Sequence, residues 1–437
     1  MFEEILIDQN PHWEKEKYPS GATRTCFSKL VEYLGTGQIV AIMGVRRAGK
    51  STLLKQLIDD LIENQEIPSE NILFFNLEHP YLSPYREDGE TLQKIYEEYL
   101  KLMQPKGEVY VFLDEVQFFE QWPVFVKAHH ETKKARFVIT GSNAAMLSSD
   151  MVTLLSGRSL PLEVFPFSLR ELASFSGIDF EKPFEVSKNR PKIAHLLDEL
   201  LEYGGFPIVV LNSKNETAYD ILRAHARMVL LQDVAPRLAA RKPADLEQLY
   251  VYLVTHISKP FSYVGLSKLF GLTDKSIKEY IQALEDAHLI YEVDLFSYSL
   301  KKQIRNPKKV YAIDTGQANA MGFKFSANRG KLLENLIFLE LKRLGLEVYY
   351  YTTKENYEID FVVKRGSDIA LLQVAWEIKD PQTKERELRA LEVAKKELKC
   401  QKGMILSYEP LKDQGIGMTA HEFLSLSQKR QLECLFG

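Results

Sequence analysis

QIVAIMGVRRAGKSTLLKQLIDDLIEN, residues 38–64, decides how the rest of the chain is read. It opens on a short apolar run rich in Ile and Val, the composition of a buried strand. Gly44-Val45-Arg46-Arg47-Ala48-Gly49-Lys50-Ser51 then fills every fixed position of the pattern G-x-x-x-x-G-K-[ST]. Thr52 and an amphipathic helical pattern follow, so both flanks are what a phosphate-cradling loop requires. Glycines let the backbone curl until its N–H groups point inward at phosphate oxygens. The helix N-terminus adds partial positive charge. A lysine at position 50 reaches the β- and γ-phosphates, and a Ser51 hydroxyl ligates Mg²⁺. Gly44, Arg46, Arg47, Ala48, Gly49, Lys50, Ser51 and Thr52 are therefore expected to bind ATP with Mg²⁺.

Outward from this loop, four more apolar runs follow: NILFFNLE (71–78), VYVFLDEV (109–116), RFVITGSN (136–143) and SLPLEVFPF (159–167). Each is apolar on both faces, as strands of a covered parallel sheet must be. Helical patterns lie between them, which gives an α/β class with right-handed crossovers. VYVFLDEVQ ends in Asp114-Glu115, at the end of a strand where ligands bind in open α/β sheets. Asp114 is expected to hold Mg²⁺, directly or through water, and Glu115 to polarise the attacking water. The next run ends in Thr140, Ser142 and Asn143. Asn143 is the first choice to position that water, with Ser142 close behind, although a polar helix cap accounts for the same residues equally well. Arg158 stands just before the fifth run. A guanidinium there either reaches a neighbouring subunit's γ-phosphate or pairs with a surface acid.

The remaining chain is long enough for further domains, since 437 residues correspond to two to four at roughly 100–200 each. Hydrophobic residues at 45% and charged residues at 27% are an ordinary globular balance. A net charge of −4 argues against a wholly basic nucleic-acid binder and leaves local basic patches open. Cys26, Cys400 and Cys434 are too scattered for a disulfide framework or a zinc site. The N-terminus has no signal-peptide pattern, and no apolar run approaches the ~18 residues of a spanning helix. A soluble cytoplasmic protein, without membrane contact, is expected.

Residues 245–298 read as three helices and a hairpin. The short turn GLTD separates two helices at helix-turn-helix spacing. Thr273 or Asp274 would cap the second, which exposes Lys275, Ser276 and Lys278 where a recognition helix meets a major groove. LKKQIRNPKKV then brings Lys301, Lys302, Arg305, Lys308 and Lys309 together with no acid. Such a run neutralises phosphates, so DNA is an expected partner, the alternative being a solvated loop. NPHW (10–13) is expected to line the adenine pocket.

GVRRAGKST, VFLDEVQ, ITGSNA, LSGR and YGGFP resemble a family of bacterial and archaeal AAA+ ATPases. KKQIRNPKKVYAIDTG, LLENLIFLEL and YEIDFVV extend the resemblance over nearly the whole chain. In that family the ATPase precedes a winged-helix segment and a domain of PD-(D/E)xK nuclease-like fold. The resemblance implies a P-loop AAA+ core over 1–170, a helical lid over 171–243, a winged helix over 244–310 and a nuclease-like α/β domain over 311–437. It also implies Lys50 and Ser51 on phosphate and Mg²⁺, Asp114 and Glu115 as the catalytic acids, Arg158 as an arginine finger, and a homo-oligomer such as a hexameric ring.

A nuclease of this fold needs acids around a metal ion and a lysine beside them. Glu334 would come from a helix, and Glu358 and Asp360 from one face of the strand YEIDF. Gln373 stands where the third-strand acid belongs and can still ligate Mg²⁺ through its carbonyl oxygen. Ala375 stands where the lysine belongs and cannot replace an ammonium. A degenerate domain that binds DNA or serves assembly is expected over a cleaving one. The leading reading is a DNA-associated AAA+ ATPase. The alternatives are a nucleotide-gated signalling or defence switch with a protein partner, and an ATP-regulated DNA nuclease.

Overall fold

The five apolar runs become five strands of one parallel sheet: β1 (Ile39–Met43), β2 (Ile72–Asn76), β3 (Val109–Asp114), β4 (Ala135–Gly141) and β5 (Ser159–Glu163). Their spatial order is β2-β3-β4-β1-β5. The computed structural model describes residues 2–19, 21–142, 155, 157–212, 216–238, 243–323, 329–378, 381–410 and 417–437. It divides into two units, residues 1–164 with 286–288, and residues 165–285 with 289–437.

In the first unit, alternate strand residues enter one core: Ile39, Ala41, Leu73, Phe75, Val111, Leu113, Phe137 and Ile139. Helices α2 (Thr91–Met103) and α3 (Trp122–Glu131) cover them with Leu92, Ile95, Tyr99, Phe125 and Val126. The intervening residues Val40, Ile42, Phe112 and Val138 are equally buried, which is why the first four runs are apolar throughout. β5, at the sheet edge, differs from the expectation: Leu162 is buried, Pro161 is exposed and the other three residues are half-buried. Helix α1 (Lys50–Glu63) buries Leu53, Leu57 and Leu61 at helical spacing, with Leu54 and Ile58 beside them. Each such side chain contributes on the order of 1.5–3 kcal/mol.

The NPHW segment lies elsewhere than expected. Asn10 donates to the Phe74 carbonyl at 2.9 Å and accepts from the Phe74 N–H at 2.7 Å. Trp13 Nε1 donates to the Ile72 carbonyl at 2.9 Å. These side chains cap the free edge of β2, a row of backbone groups that would otherwise be unpaired. Burial lowers the His12 imidazole to about 4, against the hydrogen bond to Ile72. β2 stands three strands from β1, about 14 Å at ~4.8 Å per strand, so the segment is committed to the edge and not to the phosphate loop.

The second unit begins with helices, among them α4 (Arg190–Tyr203), α5 (Glu216–Val229), α6 (Pro243–Thr255), α7 (Tyr263–Phe270) and α8 (Asp274–Asp286). Thr273 is the residue before α8, and its hydroxyl accepts from the Ser276 N–H. An antiparallel pair follows, β6 (Ile290–Val293) and β7 (Lys309–Ala312), with helix α9 (Leu300–Arg305) between them. Helices α10 (Thr315–Met321) and α11 (Arg329–Arg343) lead to a second sheet. Its strands are β8 (Glu347–Thr352), β9 (Glu358–Arg365), β10 (Asp368–Ala375), β11 (Gly403–Ser407) and β12 (Gly417–Thr419), in the order β12-β11-β10-β9-β8. Helix α12 (Pro381–Leu398) joins β10 to β11. No helix among the described residues is long and apolar enough to cross a membrane.

Two stretches far apart in sequence interlock in this unit. Gly204 ends α4 at φ +75°, and a Cβ there would lie 2.0 Å from Asp314 Oδ1. The Gly205 N–H donates to Asp314 Oδ2 at 2.7 Å, while Oδ1 caps α10 by accepting from the Gln317 N–H at 2.8 Å. Burial pushes the Asp314 carboxyl up to about 6, against the N–H donors of Gly205, Gln317 and Gly316. Gly204→Ala combines a disfavoured backbone angle with a clash. It is expected to lower the unfolding free energy by about 3 kcal/mol or more, read by urea denaturation. A loss under about 1 kcal/mol would mean that the turn relaxes around a methyl group.

Candidate nucleotide-binding site

The loop after β1 has the backbone shape its glycines allow. Gly44 has φ +143°, and a Cβ there would come 2.2 Å from the Val164 carbonyl oxygen. Gly49 has φ +101° and opens α1. Arg47, at φ +64°, is exposed, whereas Val45 and Ala48 are fully buried. Arg46 pairs with Glu78 at 2.7 Å, and Thr52 is exposed at the start of the helix. Lys50 is 3% exposed. Its ammonium donates to the carbonyls of Gly44 (3.0 Å) and Val45 (3.3 Å) and stands 3.6 Å from Glu115 Oε1. Arg24, absent from the sequence expectations, donates to the Ala48 carbonyl at 2.9 Å.

The sheet order places β4 between β1 and β3, so the ends of three strands meet at Lys50. Asp114 and Glu115 are both buried. The Thr140 hydroxyl donates to Asp114 Oδ1 at 2.5 Å and accepts from the Glu115 N–H at 2.9 Å. Burial and then the neighbouring Glu115 push the Asp114 carboxyl up, against hydrogen bonds from Thr140 and Ser51. Glu115 sits in the left-handed region at φ +56°, a conformation that costs a non-glycine residue free energy and recurs at functional sites. Gln117 Nε2 donates to Glu115 Oε2 and to Ser142 Oγ. Sequence reasoning favoured Asn143 over Thr140. Asn143 lies outside the described residues, and Thr140 is the group that bridges the acids.

Among the described residues no three His, Cys, Asp or Glu side chains are grouped to hold a metal ion. Mg²⁺ with a nucleotide needs fewer, because phosphates and water complete its octahedron. Ser51 and Asp114, hydrogen-bonded to each other, are a hydroxyl and a carboxylate of the right hardness.

Arg158 lies at the other end of the strands. Its carbonyl accepts from the N–H of Ile39, the first residue of β1, and its guanidinium pairs with Glu131 at 2.5 Å. The five residues of β1, at ~3.3 Å each, separate it from the loop of its own chain by about 16 Å.

In the second unit the expected basic run divides. Lys301, Lys302 and Arg305 are exposed on α9, and Lys275 and Lys278 are exposed at the start of α8. Lys308 and Lys309 are buried and cannot meet a DNA backbone. Lys308 pairs with Asp294. Lys309, 0% exposed, lies 2.6 Å from Glu358 and 3.4 Å from Glu334, whose carboxylate also accepts from the Tyr311 hydroxyl at 2.7 Å. Burial alone would lower this lysine; the carboxylates of Glu334, Asp360 and Glu358 overcome it and hold the ammonium above the usual range. Burial and then Glu334 push Asp360 well up, against Lys309 and the Val374 N–H.

Gln373 does not present its amide to the acids as a metal ligand would. Its Oε1 accepts from the Asp360 backbone N–H at 2.8 Å, and its Nε2 donates to Glu387 of α12 at 2.6 Å. Both ends of the amide are committed to structure, not aimed at the Glu334 cluster. The positive charge beside the acids comes from an internal lysine, Lys309, that the strand pattern does not reveal.

Residues 36–173 match the family model described as an AAA domain. Residues 194–329 and 329–425 match two domains of unknown function, DUF8612 and DUF4143. With the parallel sheet and the glycine loop, this defines an AAA-type P-loop NTPase fold carrying an additional C-terminal sheet. The chain is 31% identical over 358 residues to an uncharacterized protein of Haemophilus influenzae, covering 80% of this chain and 85% of that one. It is 30% identical over 407 residues to an uncharacterized protein of Methanocaldococcus jannaschii, covering 91% and 86%. The chain belongs to the family of AAA-domain proteins that these two represent. Among solved structures it is similar to the Orc1 protein of Aeropyrum pernix in complex with DNA. The identity there is 14%, the coverage 68% of this chain and 90% of that one, and the TM-score 0.31, a likeness too distant to bear on ligand or partner.

Removing the internal cation leaves the buried Glu334 and its neighbour Asp360 without their counter-charge. Lys309→Met is expected to cost about 3–5 kcal/mol in unfolding free energy, whereas Lys301→Met stays within about 0.5 kcal/mol of the parent. Equal stability of the two variants would show that the acid cluster does not depend on Lys309.

Proposed function

We propose that this chain binds and hydrolyses ATP with Mg²⁺. The observation that carries this reading is the Thr140-bridged pair of buried acids beside Lys50. Loop N–H groups and the Lys50 ammonium would hold the β- and γ-phosphates, the ammonium leaving the Gly44 and Val45 carbonyls and Glu115. Mg²⁺, held by Ser51 and Asp114, would supply neutralising charge at the phosphates. Glu115 accepts a hydrogen bond from the water that attacks Pγ. The new O–Pγ bond forms as the bond from Pγ to the bridging oxygen of ADP breaks, and the water's proton passes to Glu115 and on to solvent.

The position of Arg158 supports a role on a neighbouring copy's γ-phosphate and hence a homo-oligomer, such as a ring. Its exposed pairing with Glu131 is screened by solvent and easily exchanged. Glu115→Gln is expected to retain ATP binding while turnover falls by about 10²-fold or more, and Lys50→Ala to lose binding. Glu115→Gln turning over at the parent rate would remove Glu115 from the mechanism.

The partner is proposed to be DNA. Helices α6 to α8 followed by β6 and β7 support a winged-helix reading, and the exposed Lys275, Lys278, Lys301, Lys302 and Arg305 supply phosphate-binding charge. Gln373, engaged with the Asp360 N–H and Glu387 where a third-strand acid would be needed, favours a C-terminal domain that binds without cleaving. DNA is expected to stimulate turnover, and a variant with Lys301, Lys302 and Arg305 changed to Glu to lose the stimulation and keep the basal rate. If single-stranded, duplex and forked DNA neither bind nor stimulate, a nucleotide switch acting on a protein partner becomes the better reading.

A further inference from the structure

Gln117 is a side chain that the mechanism above leaves unused, and its surroundings assign it a task. It lies in the turn after β3, where its Nε2 reaches both Glu115 Oε2 and Ser142 Oγ, the latter at 3.0 Å. The two oxygens of the Glu115 carboxylate are thus divided between partners. Oε1 faces the Lys50 ammonium at 3.6 Å, and Oε2 is held by Gln117.

We propose that Gln117 is a positioning residue for hydrolysis, anchoring Glu115 through Oε2 so that Oε1 alone serves the attacking water. The proposal rests on the ATPase reading. When phosphate draws the Lys50 ammonium away, Oε1 loses its partner and Oε2 keeps its own. The carboxylate is then held at one point and open at the other. Without the anchor it would sample several rotamers, and a general base away from its productive geometry loses rate. The other end of the anchor is Ser142, at the end of the strand that carries Thr140, so backbone and carboxylate of Glu115 are both referred to β4.

The rest of the amide argues against a packing role. Gln117 Oε1 is buried and has no hydrogen-bond partner among the described residues, a burden an apolar side chain would not carry. A Cβ on Gly141 would lie 3.2 Å from that oxygen, so the absence of a side chain at 141 accommodates the amide. An amide whose NH₂ group is shared between the catalytic acid and Ser142, and whose oxygen is unpaired among the described residues, fits function better than packing.

Gln117→Leu fills similar space and removes both polar ends. It is expected to lower kcat by about 10- to 100-fold, with KM for ATP within about threefold and a melting temperature equal to or above the parent's. Gln117→Glu replaces the amide donor with a second carboxylate facing Glu115. It is expected to lower kcat at least as far as Gln117→Leu does, again with KM for ATP within about threefold. Gln117→Leu with kcat within about twofold of the parent would overturn the proposal. So would a fall in kcat that is matched by losses of ATP affinity and melting temperature, the mark of structural support. An inactive parent would sink the ATPase reading and this inference with it, whereas an active parent with an unaffected Gln117→Leu sinks this inference alone.

Discussion

One hydroxyl group organises the first unit's chemistry. Thr140 gives its hydrogen to Asp114 and takes the N–H of Glu115, so a single side chain fixes both acids at the end of β3. It can do so only because β4 lies between β1 and β3. Were the strands in sequence order, β2 would stand between the loop and the acids, and Thr140 would face the far side of β3. Burial first, and then repulsion from the neighbouring Glu115, push the Asp114 carboxyl up, so the buried pair carries a cost. Lys50 on one flank and the Ser51 hydroxyl on the other offset it, and the same groups are the ones a magnesium–phosphate ligand would engage.

The second unit solves a similar problem without such a ligand. Glu334, Glu358 and Asp360 come from one helix and one strand, and the compensating charge is Lys309, from a strand of a different sheet. A buried ammonium is tolerated when carboxylates surround it, and removing it would strand them. The interlock of Gly204 with Asp314 and of Gly316 with the Tyr203 carbonyl works by steric exclusion instead. Together these account for why YGGFP and KKVYAIDTG are the distinctive stretches of this part of the chain.

Much of the first unit was legible because its signals are local. An apolar run, a glycine loop and a helix within one stretch of 27 residues (38–64) specify their own structure, and an acid pair ending a covered strand has one natural location. The signals that misled are those whose meaning depends on distant partners. Lys308 and Lys309 look like members of a solvated run, and only Asp294, Glu334 and Glu358, met in space, bury them. NPHW reads as an adenine-pocket segment because N-terminal segments often line that pocket in ATPases of this class, and its polar and aromatic side chains suit a strand edge in need of caps. Gln373 occupies an acid's position on paper, and the register of β9 against β10 turns its amide to the backbone of Asp360 instead. The short strands β11 and β12 carry too few residues to show a period.

The claim at the centre of this account is that the Thr140 hydroxyl makes the two acids into one working site. ATP turnover by a Thr140→Val variant, isosteric and lacking only the hydroxyl, tests it most directly. A fall of about tenfold or more, with nucleotide still bound, is the predicted result. Turnover at the parent rate would contradict the account, because the acids would then hold their catalytic geometry without the group argued to hold them.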